Sequence, residues 1–440
     1  MDSPLLVGAA LVLFVLSFAR TEFGLYVVVF SMLLSPEITA GGGGLAERRE
    51  ITLRTEDFVL MVIGFSWFAK TAVNKELGLV AKTPLNGPIV VYIAANIVAT
   101  LFGYLLGTVR TAAGYFYVLK YIEYFVVYYM VVNNLRDRPH ARRLMAAAML
   151  TAAVVSVIGI TQIPSGERVS APFEGETGEP NTFGGYLLFM IALAAGMALE
   201  TPRLAIRTRL VTLIGVMALP FAFTLSRASY LGVVPAFVAL TALTTRRRVM
   251  VGILLVVLVC SPLVMLVAPS AVVNRVAYTF QPEANQPTVR VGKLGLDPST
   301  SARILSLSQA LRGWMERPIL GWGVTGFGFM DAQYARVLVE TGIVGFLAFV
   351  WLLWSVLTAA RAAYQQLRDP LDRGLAMGFI AGTIGLLAHA IGSNTFTIIR
   401  VMEPFWLFAG IVVMLPVLVG EEPSVPGPIP LAPTAAPVLR

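Results

Sequence analysis

The sequence predicts an all-α polytopic membrane protein with 12 or 13 transmembrane helices, and three observations predict it. First, hydrophobic residues make up 57% of the 440 positions and charged ones only 13%, about half the roughly 25% of a soluble protein. Second, the apolar runs are continuous rather than alternating, the pattern of spanning helices and not of a membrane barrel. Third, the short gaps between runs alternate between basic and non-basic. With a mean hydropathy of +0.77, a soluble fold could not bury this much apolar surface, so lipid is the solvent for most of the chain. A soluble enzyme, a disordered protein and a disulfide scaffold are excluded.

The runs lie at roughly 4–19, 23–35, 57–72, 88–107, 112–132, 144–163, 181–199, 209–224, 229–244, 249–268, 337–358, 374–391 and 398–419. The first two are short and separated only by Arg20-Thr21-Glu22, so they form either two spans or a hairpin that does not fully cross. The first run lacks a basic leader and a small-residue cleavage site, and is expected to be a retained helix. Cys260 sits in an apolar run with no second cysteine to pair with, so cysteine usage does not report a redox compartment.

Orientation follows from the basic residues of short loops. The gap 133–143 carries Arg136, Arg138, Arg142 and Arg143; 200–209 carries Arg203, Arg207 and Arg209; 245–248 carries Arg246, Arg247 and Arg248; and 359–373 carries Arg361, Arg368 and Arg373. Between them, 164–180 holds Glu167, Glu174, Glu176 and Glu179 against one Arg168. The basic set is expected to be cytoplasmic, leaving 164–180, 225–228, 269–336 and 392–397 outside. Most of the net charge of +8 is therefore topological, and no contiguous basic domain marks a nucleic-acid partner.

These spans divide the chain into an N-terminal helix bundle over 1–268, a large outward loop over 269–336, C-terminal helices over 337–420 and a Pro/Ala-rich tail over 421–440 expected to be disordered and cytoplasmic. Gly41–Gly44 reads as a flexible loop. Within the large loop, Ser301–Met315 is amphipathic, with Ile304, Leu307, Leu311 and Trp314 on one face, and is expected to lie on the membrane surface. It ends at Arg317-Pro318, and the glycine-rich Gly321-Trp322-Gly323 and Gly326-Phe327-Gly328 follow.

An outward-facing arginine, Arg227 in Thr224-Leu225-Ser226-Arg227-Ala228-Ser229, interrupts some 35 apolar or small residues. It either snorkels at a helix end or meets an anion in a wet cavity. Lys120 with Glu123, and Arg400 with Glu403, are spaced one turn apart and can neutralise each other. Tyr115, Tyr117, Tyr121, Tyr124, Tyr128 and Tyr129 crowd one helix, where an interhelical or interfacial role competes with sugar stacking. Of two histidines, His140 lies in a basic loop, and His389 near the outward end of its helix.

Ser226-Arg227 opening a helix resembles the arginine motif of the bacterial O-antigen ligase and O-antigen polymerase superfamily. So do Arg303 ahead of Arg317-Pro318-Ile319-Leu320-Gly321-Trp322-Gly323, the helix entry Val339-Glu340-Thr341-Gly342-Ile343-Val344-Gly345, and Glu179-Pro180-Asn181-Thr182-Phe183-Gly184-Gly185-Tyr186. The resemblance covers about 180 through 400. It implies a GT-C-like architecture in the bacterial inner membrane with its active site facing the periplasm. It also implies a metal-independent glycosyltransferase that needs no cofactor, whose partners are an undecaprenyl-diphosphate-linked glycan, membrane lipid and a chain-length regulator.

Without a metal, guanidinium forks must take the charge that builds on a diphosphate leaving group. Arg227 and Arg303 are the matching positions, and Arg400, near the outer surface, is a third. The acceptor hydroxyl needs a base. The family places a histidine before the Glu-x-Gly entry, whereas this chain has Asp331-Ala332-Gln333-Tyr334. Asp331 can replace it as base, or serve as a turn residue. His389 is an alternative base and Glu179 a third candidate, which would otherwise bind glycan hydroxyls. The missing histidine favours a polymerase of repeat units over a ligase that transfers glycan to lipid A core. A transporter or flippase for lipid-linked oligosaccharide, binding phosphate without chemistry, is the rival from another class.

Overall fold

The computed structural model describes residues 3–39, 52–73, 81–110, 113–173, 178–256, 290–291, 294–295, 298–328 and 330–421. Cys260, Gly41–Gly44, Glu174, Glu176 and the tail beyond 421 lie outside the described residues, as do 257–289 of the large loop and the helix before it. Each of the thirteen apolar runs forms a helix over most of its described length. In chain order these are α1 (Ser3–Ala19), α2 (Thr21–Leu34), α3 (Thr55–Val73), α4 (Asn86–Leu105), α5 (Ala113–Asn134), α6 (Arg138–Gln162), α7 (Pro180–Glu200), α8 (Leu204–Phe223) and α9 (Arg227–Leu243). Then come α10, described over 247–256, the loop helix α11 (Pro298–Glu316), and α12 (Gln333–Gln366), α13 (Pro370–His389) and α14 (Ile399–Glu421).

The protein is an all-α polytopic membrane protein. Among the described residues, eight helices are long and apolar enough to cross a membrane by length and composition, while Val7–Ala19, Thr21–Leu34 and Arg227–Leu243 are shorter apolar helices. Strands, not expected from the apolar pattern, occur as two short antiparallel ladders between helices, Glu37–Thr39 with Thr52–Arg54 and Arg290–Val291 with Leu294–Gly295.

The centre of the bundle is α7, packed on α13, α8 and α9, with α13 also on α9. Close approach of α7 and α13 requires glycine: a Cβ on Gly196 would lie 2.4 Å from the Gly374 carbonyl and 2.5 Å from the Gly378 amide. Small residues let helix backbones meet where hydrophobic burial gives no driving force in lipid. The second seam joins α5 to α14. There Tyr124, Phe125 and Tyr128 are buried against Trp406, at ring separations of 6.5, 4.7 and 5.6 Å. Tyr124 and Tyr128 of the α5 tyrosine stripe are thus interhelical packing.

Charge separates the two ends of the bundle. At one end, Arg138 and Arg142 of α6 grip Asp372, which is fully buried, at 2.6 and 3.1 Å, and both also reach Asp369. Asp369 caps α13 by accepting from the Leu371 and Asp372 amides. The loops 200–209 and 245–248 meet at this same end, where Thr244 donates to Glu200 and Tyr364 donates to the Leu243 carbonyl. The opposite end collects the described loop residues 163–173, 178–179, 224–227, 317–328, 330–332 and 390–398.

A helix, α11, forms over the stretch read as amphipathic. Ile304, Leu307 and Leu311 are exposed, whereas Ala310 is buried with Met330, Ala335 and Val339 of the segment leading into α12.

Candidate functional site

Helix α12 is broken, and the break organises the site. Gly342 has φ +65° and ψ −166° inside an otherwise helical run. The break strands carbonyls on one side and amides on the other, and each buried group needs a partner. The glycine-rich turn supplies them. Trp322 and Gly323 donate to the carbonyls of Val339 and Glu340 at 3.0 and 2.8 Å, while Ile343 and Val344 donate to the carbonyls of Pro318 and Ile319 at 2.8 and 3.3 Å. Gly321, itself at φ +68°, faces Gly342 with no room for a side chain: a Cβ there would be 2.6 Å from the Gly342 amide. The Arg-Pro-Ile-Leu-Gly-Trp-Gly stretch is therefore the plug of a broken helix.

The short first half of α12 carries Arg336 and Glu340, both buried and paired at 3.2 Å. Arg336 also donates to the Tyr121 and Thr397 hydroxyls, and Glu340 accepts from the Thr325 amide. This fork is anchored on three elements.

Arg336 opens onto a cavity of about 430 Å³ at the end of the bundle away from the arginine-rich loops. Its lining includes four cations (Arg54, Lys120, Arg168 and Arg336) against two carboxylates, Glu179 and Asp331. Asn181, Thr182, Ser393, Asn394 and Thr397 add neutral hydrogen-bonding groups, and Phe116 and Tyr117 add aromatic faces. Lys120 is held by Asp57 and, at 3.6 Å, by Glu123, so the pair read from helical spacing is present with a second acid beside it. The combination suits a ligand with anionic, hydroxyl-rich and ring-shaped parts.

Of the residues expected from sequence, Glu179 and Asp331 line this cavity. Glu179 accepts from the Thr182 hydroxyl at 2.7 Å at the start of α7. Arg303 stands beside it, donating to Asp331 at 3.2 Å. Arg227 begins α9 after the N-cap Ser226, which accepts from the Ser229 amide and donates to Asn181 at 2.8 Å. The preceding residue, Leu225, is forced to φ +50°, and the turn is held by Arg168, which donates to the Thr224 and Leu225 carbonyls at 3.0 and 3.4 Å. A strained turn at this point fixes the direction in which α9 starts. A Cβ on Gly392 would lie 3.4 Å from Ala228 and 3.9 Å from the Arg303 Nη1, so the starts of α9 and α11 are neighbours across Gly392.

The two other candidates are placed differently. His389 is fully buried below the cavity, with Nδ1 2.6 Å from the Thr395 hydroxyl and its ring against Gly185. Arg400 is fully buried as well, donating to the carbonyls of Pro172 at 2.7 Å, Ser35 at 3.0 Å and Phe173 at 3.4 Å. It ties α14 to α2 and to the loop before α7. Neither belongs to the cavity lining.

Sequence reasoning missed Arg54, Lys120, Arg168 and Arg336 as one cationic lining. Arg336, three residues before Val339-Glu340-Thr341-Gly342, was the detectable one: an arginine one turn from a glutamate at the mouth of an apolar run has the i,i+4 spacing of an ion pair. Among the described residues, no group of three or more His, Cys, Asp or Glu is gathered as for a metal ion.

The chain matches no curated protein. Residues 210–350 match the family model described as O-antigen ligase. That segment runs from α8 into α12 and contains Arg227, Arg303, Asp331, the plug and the broken helix; Glu179, His389 and Arg400 fall outside it. Over residues 210–350, then, the chain is similar to the O-antigen ligase family.

Proposed function

We propose that the protein is a glycosyltransferase that polymerises undecaprenyl-diphosphate-linked repeat units on the periplasmic side of the bacterial inner membrane. The observation that supports this best is the cavity of about 430 Å³ in which carboxylates and guanidinium groups face one space, beside the Arg303–Asp331 pair of the family-matching segment. A transfer between two glycans needs both kinds of group. The acceptor hydroxyl attacks the anomeric carbon of the donor. The new C–O bond forms as the bond to the diphosphate oxygen breaks, and the electron pair leaves with the diphosphate. Arg227 and Arg303 take that charge, since guanidinium groups hold phosphate through paired bonds. Asp331 takes the acceptor proton, and Glu179 orients sugar hydroxyls or shares that role. The donor's diphosphate, arriving at Arg303, displaces its ion pair with Asp331, which frees the carboxylate for the acceptor.

An in vitro reaction with purified protein and diphosphate-linked repeat units tests the reading. Chain growth supports the polymerase. Transfer of glycan to core lipid instead would make the protein a ligase. Lipid movement across vesicles with no new glycosidic bond would reject the enzyme altogether.

A further inference from the structure

A second cavity, of about 650 Å³, lies on the opposite half of the bundle and takes no part in the chemistry above. Helices α8 and α9 are consecutive, yet each packs on α7: α8 turns aside to α6 and α9 to α13. The wedge left between them is floored by α7 and flanked by α10. Alanines such as Ala195 and Ala236 line it and leave the space unfilled. The wedge extends along α8 from Arg207 to Phe221, about 21 Å of helix. Its far end lies where Phe221 meets Tyr230 at 5.8 Å. Its wall is otherwise apolar, and the two charged residues on it, Arg207 and Arg246, stand together at the arginine-rich end.

We infer that this wedge is a binding site for an anionic phospholipid, with an acyl chain between α8 and α9 and the phosphate on Arg207 and Arg246. Three observations carry the inference. The size falls within the range of roughly 300–1,000 Å³ that ligand sites occupy, and its length exceeds the half of a ~30 Å hydrocarbon core that one leaflet supplies. The mouth lies between loops with six arginines, 203, 207, 209 and 246–248, and Glu200 is the carboxylate that meets them, accepting from the Thr245 amide. Arg207 donates one Nη to the Thr201 carbonyl, but its Nε is buried with no hydrogen-bond partner. A buried donor left unpaired is costly, and turning the guanidinium toward a phosphate at the mouth would satisfy it. Basic pockets between helices are a known way to hold anionic headgroups.

The test uses the full chain in nanodiscs of mixed phosphatidylglycerol and phosphatidylcholine, with retained lipid read by native mass spectrometry after extraction. The wild type should retain phosphatidylglycerol in preference to phosphatidylcholine. R207Q/R246Q should lower that retention by about tenfold, the weight of losing a charge-assisted bond. R203Q/R248Q, which removes equal charge from the same face outside the wedge, should not. A195F, which fills the wedge and leaves every charge in place, should displace the lipid too. Retention without headgroup preference, or equal loss in both arginine pairs, would overturn the site even where A195F fails to fold.

Discussion

Arg303 donates to the Asp331 carboxylate at 3.2 Å, with both side chains about a third exposed at the edge of the cavity. A cation proposed for the diphosphate and a carboxylate proposed as base are thus one pair before substrate binds. The two roles separate by kinetics. D331N should lower kcat by roughly 10²–10⁴, the usual contribution of a positioned base, with donor KM little changed. R303A and R227A should abolish turnover through donor binding, and lysine should rescue neither, because a point charge cannot make forked contacts. Normal turnover of R303A or R227A would remove that arginine from the diphosphate site. A D331N defect confined to KM would make Asp331 a holder of Arg303.

Arg336 reaches the cavity from a buried pair with Glu340, and substitution should show both structure and function. R336A removes the buried cation that faces Glu340, a loss that typically costs about 3–5 kcal/mol, and should lower the unfolding temperature in detergent. R336K keeps a charge but not the fork that joins Glu340, Tyr121 and Thr397. It should be more stable than R336A and still bind a diphosphate-linked donor poorly. Donor affinity equal to wild type in R336K would mean that the fork serves the fold alone.

The break in α12 should be intolerant of any side chain. G342A places a methyl group 2.2 Å from the Ile319 carbonyl at a φ of +65°, so both contact and backbone conformation oppose it. The expected loss is a few kcal/mol, at the upper end of single substitutions, read as lower yield of folded protein and lower thermal stability. G328A, in the same glycine-rich stretch but with open space around it, is the matched control and should behave as wild type. Equal behaviour of the two variants would show that the plug is not required.

These residues also show what was legible in the sequence. Continuous apolar runs place every described spanning helix because lipid imposes the same requirement along the whole chain. Glu179 and Asp331, which line the cavity, could be singled out because a carboxylate in a loop stands out against an apolar background. Arg168 and Arg54 did not stand out, since loop arginines are common and only the fold brings them to one cavity. Arg400 lies outside the cavity lining, and its setting was hidden for the opposite reason. An arginine near a membrane surface suggests an anion, but its partners are the carbonyls of Pro172, Phe173 and Ser35, which no local pattern announces. The break in α12 was similarly hidden, because Glu-Thr-Gly at a helix entry does not reveal that a distant Gly-Trp-Gly supplies the missing hydrogen bonds.

The Asp369–Asp372 knot at the other end of the bundle makes a prediction in pH. Burial acts to raise the Asp369 carboxyl, but Arg142 and Arg138, with the Asp372 amide, outweigh it and hold the carboxyl below its ordinary value of 3.8. A lowered value means that the charged form is favoured by folding, so its stabilisation is fully present above pH 3.8 and is lost as pH falls through the lowered value. Asp369 is a third exposed, so solvent screens the gain and it should be small. In detergent, D369N should be slightly less stable than wild type at neutral pH, and the gap should close only in strong acid. D372N should behave differently, because its carboxylate is fully buried between two arginines, and breaking such a group typically costs about 3–5 kcal/mol. Thermal unfolding of both variants across pH checks the pair. A D369N deficit that grew on acidification would contradict the sign, and a D372N protein as stable as wild type would show that α6 and α13 are held by packing rather than by charge.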